Sequence, residues 1–461
     1  MFIGRKHELS QLQRAYEQRN FQCMVVWGRR RVGKTTLINE FTKDKETIFF
    51  TGIESSYKDN LESLSKSIAV ITHHDAMHAP VYASIQEALE DIFLLAKKKQ
   101  IVFVIDEYPY LAKSYRPISS ILQRMIDAQR NDSSLFLILC GSSMSFMEQQ
   151  VLGYQSPLYG RRTGQLRIEP FSFYDVKAYY QHFSTLDLAV IYGITGGIPQ
   201  YLSFMDDSLS LEENITRNFL LPSGYLYEEP NNLMKQELRE PATYNAIIKA
   251  VATGSSRKAE IASKVGIDAS QLSTYIDKLL ELGILERESP LGSKSTRKTI
   301  YYIKDGMFRF WYAFIPDVML FIQRNRPDLA WKQISPQLNS FMGHVFEQLC
   351  VDYLWQKYDQ LPVAFTEIGR WWGNNPKLKR EEEIDIVAAQ DKRALLCECK
   401  WRNELTDIDV LQTLRERSKL LPFQENYYML FSKSGFSQSC MAAAKEDTNV
   451  FLVTYETIYR G

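Results

Sequence analysis

Residues Gly28-Arg29-Arg30-Arg31-Val32-Gly33-Lys34-Thr35-Thr36 have the spacing of a loop that holds phosphate groups. Its glycines let backbone N–H groups close on phosphate oxygens, and a helix that opens near Lys34 aims its positive end at them. Lys34 is placed to reach the β- and γ-phosphates of ATP, and the Thr35 hydroxyl to ligate Mg²⁺. With glycine at ~7% of residues, roughly 0.02 such matches arise by chance in a chain this long, so the pattern reads as a site. Asp106-Glu107 supplies a second half of the same chemistry. Asp106 would hold Mg²⁺ through water, and Glu107 would orient and deprotonate the attacking water. Gly141-Ser142-Ser143 has two readings: polar groups that touch the γ-phosphate or the water, or a turn with a helix N-cap.

These residues need strand tips to hold them. Cys23-Met24-Val25-Val26-Trp27, Ile101-Val102-Phe103-Val104-Ile105 and Leu135-Phe136-Leu137-Ile138-Leu139-Cys140 are continuous apolar runs that end at the three candidate groups. Such runs suit parallel strands buried on both faces. Carboxylates at the C-terminal edge of a parallel sheet then lie beside the phosphate loop.

A second constellation stands near the other end of the chain. Glu383-Ile384-Asp385-Ile386-Val387 and Ala394-Leu395-Leu396-Cys397-Glu398-Cys399-Lys400-Trp401 read as two strands. Glu398 and Lys400 are two residues apart and share a face. Asp385 on the preceding strand can lie opposite Glu398, giving two carboxylates for a divalent cation and a lysine for the attacking water. Charges embedded in apolar strands are costly unless they serve a site. Between the two constellations, Ile247, Val251, Ile261 and Val265 mark two short helices. Leu272, Tyr275, Ile276, Leu279 and Leu280 line one face of a third. Gly283-Ile284-Leu285 and Thr299-Ile300-Tyr301-Tyr302-Ile303 form an extended pair around a polar, basic segment at 292–298. The aromatic run Phe308-Arg309-Phe310-Trp311-Tyr312-Ala313-Phe314 reads as core.

The order of motifs carries a resemblance. Phe2-Ile3-Gly4-Arg5 with Glu8-Leu9 is similar to the adenine-side opening motif of AAA+-type and signal-transduction ATPases. The phosphate loop, Asp106-Glu107 and Gly141-Ser142-Ser143 follow, then Gly160-Arg161-Arg162, Pro170-Phe171-Ser172-Phe173 and Thr195-Gly196-Gly197-Ile198-Pro199. Together they resemble the archaeal-type P-loop ATPases. The resemblance implies ATP and Mg²⁺ as ligands, with Gly4, Arg5 and Pro199 near the nucleotide. Ser142 or Ser143 would be the γ-phosphate sensor. Arg161 would be an arginine finger acting within the chain or on a neighbouring copy; a solvated loop charge is the alternative.

The segment after the lid resembles a winged helix-turn-helix, with Gln271, Ser273, Thr274, Asp277 and Lys278 on the exposed face of its second helix. DNA contact and a purely structural coupling role are both open for it. The C-terminal third resembles the PD-(D/E)XK nuclease fold. Position by position, Glu347, Asp385 and Glu398 would hold Mg²⁺ or Mn²⁺, Lys400 would be catalytic and Gln412 accessory. Ile384 stands where proline often precedes the aspartate, and such folds also persist as inactive binding modules.

The fold class that follows is α/β: a P-loop NTPase parallel sheet with a helical lid, a winged helix-turn-helix and a C-terminal restriction-endonuclease-like domain. The expected boundaries are 1–170, 171–235, 236–305 and 306–461. Lys plus Arg equals Asp plus Glu, 55 each in 461 residues, so DNA contact must come from local basic patches. No apolar run approaches the ~20 residues that span a bilayer, and six cysteines without a CxxC pair read as reduced thiols. A cytoplasmic protein is expected. The leading reading couples ATP turnover to a DNA-directed nuclease module. Its rivals are an ATP switch acting on a protein partner and a DNA-binding ATPase whose nuclease fold is silent.

Overall fold

Strands β1 (Gln22–Trp27), β3 (Ile101–Asp106) and β4 (Leu135–Gly141) are buried at every position, as their unbroken apolar sequences require. With β2 (Thr47–Thr51) and β5 (Gly164–Arg167) they make an all-parallel sheet of order β2-β3-β4-β1-β5 in a computed structural model that describes residues 2–72, 80–293 and 298–461. Alternation along β1 splits the core between two faces. Cys23, Val25 and Trp27 join one cluster with Phe50 and Phe103. Met24 and Val26 join the other with Leu37, Ile38 and Phe41 of the helix Lys34–Thr42. Because β4 lies between β1 and β3, the ends of all three strands sit side by side.

The chain forms two compact units, Met1–Phe171 with Ile198–Gln200, and Ser172–Gly197 with Tyr201–Gly461. The second gathers the three segments expected as separate domains after residue 170. The reason is shared packing: Phe219 lies 4.8 Å from Phe310 ring to ring, and Gly193 abuts Gly306. Within it, serine N-caps start the helices Phe173–Tyr179, Thr185–Thr195 and Leu211–Phe219. Three helices follow, Pro241–Ala252, Lys258–Val265 and Ala269–Glu281. An antiparallel pair, β6 (Leu285–Glu288) and β7 (Ile300–Ile303), comes next. Residues 294–297 of the expected wing lie outside the described residues.

The helix Gly306–Gln323 buries the aromatic run. It leads to the helix Leu338–Gln356 and a mixed sheet of order β12-β11-β10-β9-β8. These strands are β8 (Glu367–Asn375), β9 (Arg380–Gln390), β10 (Arg393–Lys400), β11 (Glu425–Ser432) and β12 (Val450–Thr454). β8, β9 and β10 are antiparallel neighbours, whereas β10, β11 and β12 run parallel. The α/β class is thus realised twice. Among the described residues no helix is long and apolar enough to cross a membrane.

A Cβ at Gly306 would stand 2.4 Å from the Gly193 carbonyl oxygen. Alanine gains up to ~1 kcal/mol over glycine in a helix, whereas overpacking against backbone costs about 1–3 kcal/mol. Gly306→Ala therefore lowers the melting temperature of the second unit in a thermal scan; a rise would show that the two helices separate freely.

Candidate functional site

The loop after β1 is held by backbone geometry few residues tolerate. Gly28 takes φ 152°, and a Cβ there would meet the Ile168 carbonyl oxygen at 2.4 Å. Arg31 at φ 72° and Gly33 at φ 87° also lie in the left-handed region, and for Arg31 that costs about 1–3 kcal/mol. Such strain belongs where backbone N–H groups must converge on a ligand. Lys34 opens the helix, is 6% exposed, and donates to the carbonyls of Gly28 at 3.0 Å and Arg29 at 2.9 Å. Burial draws its pKa down, while Cys140, Glu107 and Asp106 oppose that shift. Thr36 is exposed on the first turn, and Arg30 donates to the Tyr110 hydroxyl at 2.5 Å.

Strand tips complete the site. The Thr35 hydroxyl donates to Asp106 Oδ2 at 2.8 Å, and Asp106 Oδ1 accepts the Glu107 backbone N–H at 3.0 Å. Glu107 sits at φ 48°, and its Oε2 accepts the Ser142 hydroxyl at 2.9 Å. Lys34, Thr35, Asp106, Glu107 and Ser142 are therefore brought together at the ends of β1, β3 and β4. A hydroxyl beside a carboxylate is the hard oxygen set that Mg²⁺ prefers, so Thr35 and Asp106 fit the ion. Ser143 instead precedes a short helical turn, Met144–Phe146, without a side-chain cap bond.

Arg5 and Pro199 take supporting places. Arg5, at φ 58° after Gly4, donates to the carbonyls of Val32 at 3.1 Å and Glu169. Its guanidinium also pairs with Glu8 at 3.1 Å and lies 4.7 Å from the Phe171 ring centroid. It thus braces the buried Val32 and the loop backbone from below. A Cβ at Gly33 would lie 3.7 Å from the Pro199 ring, and the Gln200 N–H reaches the Arg31 carbonyl at 3.4 Å. Arg161 is turned elsewhere. Its guanidinium grips Asp127 at 3.1 and 2.9 Å and the Tyr159 carbonyl at 3.0 Å, and among the described residues it makes no hydrogen bond with the strand-tip set.

In the second unit Cys397 pairs with Ile386, the rung before Glu398 and Asp385. Lys400 Nζ lies 2.5 Å from Glu398 and 3.7 Å from Asp385, so the three expected strand residues do meet. Burial and the Glu398 charge hold the Asp385 carboxyl well above its ordinary range, against the pull of Lys400. Arg417 then takes the other Glu398 oxygen at 2.6 Å and Glu382 at 2.9 Å, and Arg380 pairs with Glu382 at 2.7 Å. Glu347 is taken by Arg370 and by His344 at 3.4 Å. Among the described residues no three His, Cys, Asp or Glu side chains are grouped to hold a metal ion. Each member of the expected ligand set has a cation of the chain beside it: Arg370 at Glu347, Lys400 at Asp385 and Glu398, and Arg417 at Glu398. Gln412 is exposed on the helix Ile408–Ser418. The six cysteines are free and buried.

Residues 2–205 match a family described as an ATPase domain predominantly from Archaea. Residues 311–417 match one of archaeal and bacterial proteins of unknown function. An uncharacterized protein of Methanocaldococcus jannaschii is 34% identical over 443 residues, 94% of this chain and 96% of its own. The chain is a member of the archaeal-type ATPase family. A shorter uncharacterized ATP-binding protein of the same organism is 44% identical over 46 residues, 10% of this chain and 78% of its own. The Walker-type ATPase of Pyrococcus abyssi has 18% identity and a TM-score of 0.52 over 68% of this chain and 96% of its own, a likeness of fold alone.

What sequence reasoning misses in this ATPase is the cationic side of the C-terminal cluster. Arg417 stands seven residues after Val410 and three after Leu414, so it falls on a buried helical face where an apolar residue is expected. That misfit is the available signal. Glu398 and Glu382 keep only 3% and 4% of their side-chain surface in water. Breaking a buried pair of this kind costs about 3–5 kcal/mol. Arg417→Met should destabilise the second unit by that order in denaturant unfolding, and an unchanged midpoint would mean the two glutamates do not depend on it.

Proposed function

We propose that the chain binds ATP with Mg²⁺ between Gly28 and Thr36, hydrolyses it to ADP and phosphate, and couples its nucleotide state to a DNA-directed C-terminal domain. The observation that carries hydrolysis is the hydrogen-bonded line Thr35–Asp106–Glu107–Ser142 beside buried Lys34. Thr35 and Asp106 would hold Mg²⁺, which when bound neutralises charge on the β- and γ-phosphates. Lys34 has three N–H donors and spends two on loop carbonyls, so one remains for a phosphate oxygen. Glu107 accepts the proton of the attacking water, with Ser142 fixing the carboxylate's direction. Arg161 is the proposed arginine finger. Its half-exposed pair with Asp127 has little energetic worth, so a phosphate of its own or a neighbouring copy can compete for it.

DNA enters through the three-helix and hairpin segment, which has the element order of a winged helix, and through arginines on the C-terminal sheet. Two readings of that sheet differ in whether DNA is cut. Asp385, Glu398 and Lys400 on adjoining strands favour a nuclease. The engagement of Glu398 by both Lys400 and Arg417 favours a nuclease-like fold that binds without cutting. In that second reading ATP works as a switch on what the domain holds.

Glu107→Gln should retain ATP binding while turnover falls at least about 100-fold, the usual range for removal of a general base. Parental turnover in that variant would remove Glu107 from the role. Lys34→Ala should weaken ATP binding by about 1.5–3 kcal/mol, on the order of 10- to 100-fold, in a nucleotide titration. For DNA, supercoiled, linear and single-stranded substrates are incubated with Mg²⁺ or Mn²⁺, with and without ATP. Cutting abolished by Asp385→Ala supports the nuclease, whereas intact DNA with normal ATP turnover supports the silent fold.

A further inference from the structure

A cavity of about 540 Å³ opens in the second unit between the start of the helix Lys258–Val265 and the face of β8 and β9. Four arginines line it: Arg257 before the helix, Arg370 on β8, Arg380 on β9 and Arg417 on the helix Ile408–Ser418. Each guanidinium carries five N–H donors, and the carboxylates already named take one or two from each. Arg257 spends a single nitrogen on Glu381, at 3.3 and 3.1 Å. Arg370 stands at a bulge between Gly369 and Trp371, a device that re-aims a side chain away from strict alternation.

Trp372 closes part of the cavity. It lines the same cavity, is 5% exposed, and its indole N–H is buried without a hydrogen-bond partner among the described residues. That nitrogen has no surface open to the cavity, so the side chain serves as one of its walls.

The lining also holds Glu381, Glu382 and Glu383, and these do not close it to an anion. Glu382 is already shared between Arg380 and Arg417. The Arg257–Glu381 pair leaves nearly half of each side chain in water, so exchanging its carboxylate for a phosphate is cheap. Glu383 is exposed, and water screens it. The volume lies in the range of small-molecule pockets and accommodates one or two nucleotide units, not a duplex.

We propose that this cleft holds nucleotide units of a nucleic-acid single strand. Arg257 and Arg380 engage its phosphodiesters, and the Trp372 side chain walls the cleft. The inference rests on the DNA-directed reading and names the place where that reading is executed.

The test is fluorescence anisotropy of the full chain with a short labelled oligothymidylate over a series of salt concentrations. Each single-strand phosphate that the protein ceases to neutralise lowers the slope of log affinity against log salt by about 0.7, so Arg257→Gln and Arg380→Gln should each do so. ATP turnover equal to the parent's and a cooperative melting transition show that each variant is folded. Variants that bind like the parent overturn the cleft and leave the DNA-directed reading standing. A parent that binds no oligonucleotide at any salt overturns both. Arg257-dependent binding of a duplex but not of the single strand overturns the single-strand assignment.

Discussion

The Lys34 ammonium is almost wholly withdrawn from water and stands at the positive end of its own helix, two circumstances that both oppose its charge. The carbonyls of Gly28 and Arg29, together with Cys140 and the carboxylates at the tip of β3, offset them. Much of the first unit can be read as serving that balance. The left-handed turns at Arg31 and Gly33 bring the loop around, Ile168 presses on Gly28, and Arg5 clamps Val32 from below. A phosphate arriving there would offset the same desolvation cost.

The C-terminal cluster inverts this arrangement. There the buried charges are carboxylates, and the chain supplies their counter-cations itself through Lys400, Arg417 and Arg380. Asp385 is the exception, since burial and its neighbour Glu398 push it toward the protonated form. One unit thus waits for an external anion, while the other has largely neutralised itself. Lys400 and Arg417 between them hold both oxygens of Glu398.

Legibility in the sequence follows the distance over which each feature is encoded. The phosphate loop and the three buried strands are contiguous, and their types alone fix geometry, so spacing is enough to name Lys34, Thr35, Asp106 and Glu107. Asp385, Glu398 and Lys400 are legible because strand alternation is local. Arg417 and Arg370 are not, since their partners lie on other elements and only tertiary packing joins them. The motif around Arg5 is local and marks it as a nucleotide neighbour, yet its work is done on the Val32 and Glu169 carbonyls, the second of them far along the chain. The packing of Phe219 on Phe310 likewise leaves no local mark, and so the boundary expected at residue 305 does not separate compact units.

Ile198–Gln200 clusters with the first unit although both flanking segments belong to the second. The chain therefore passes between its units three times between Phe171 and Tyr201. A recombination event that exchanged everything after Phe171 would carry away the tripeptide whose Pro199 meets Gly33 and whose Gln200 meets Arg31. The phosphate loop is completed by a piece of sequence that lies beyond the first segment of the second unit. Residues Arg31 and Gly33 and the tripeptide Ile198–Gln200 are therefore constrained together, although a segment of the second unit separates them along the chain.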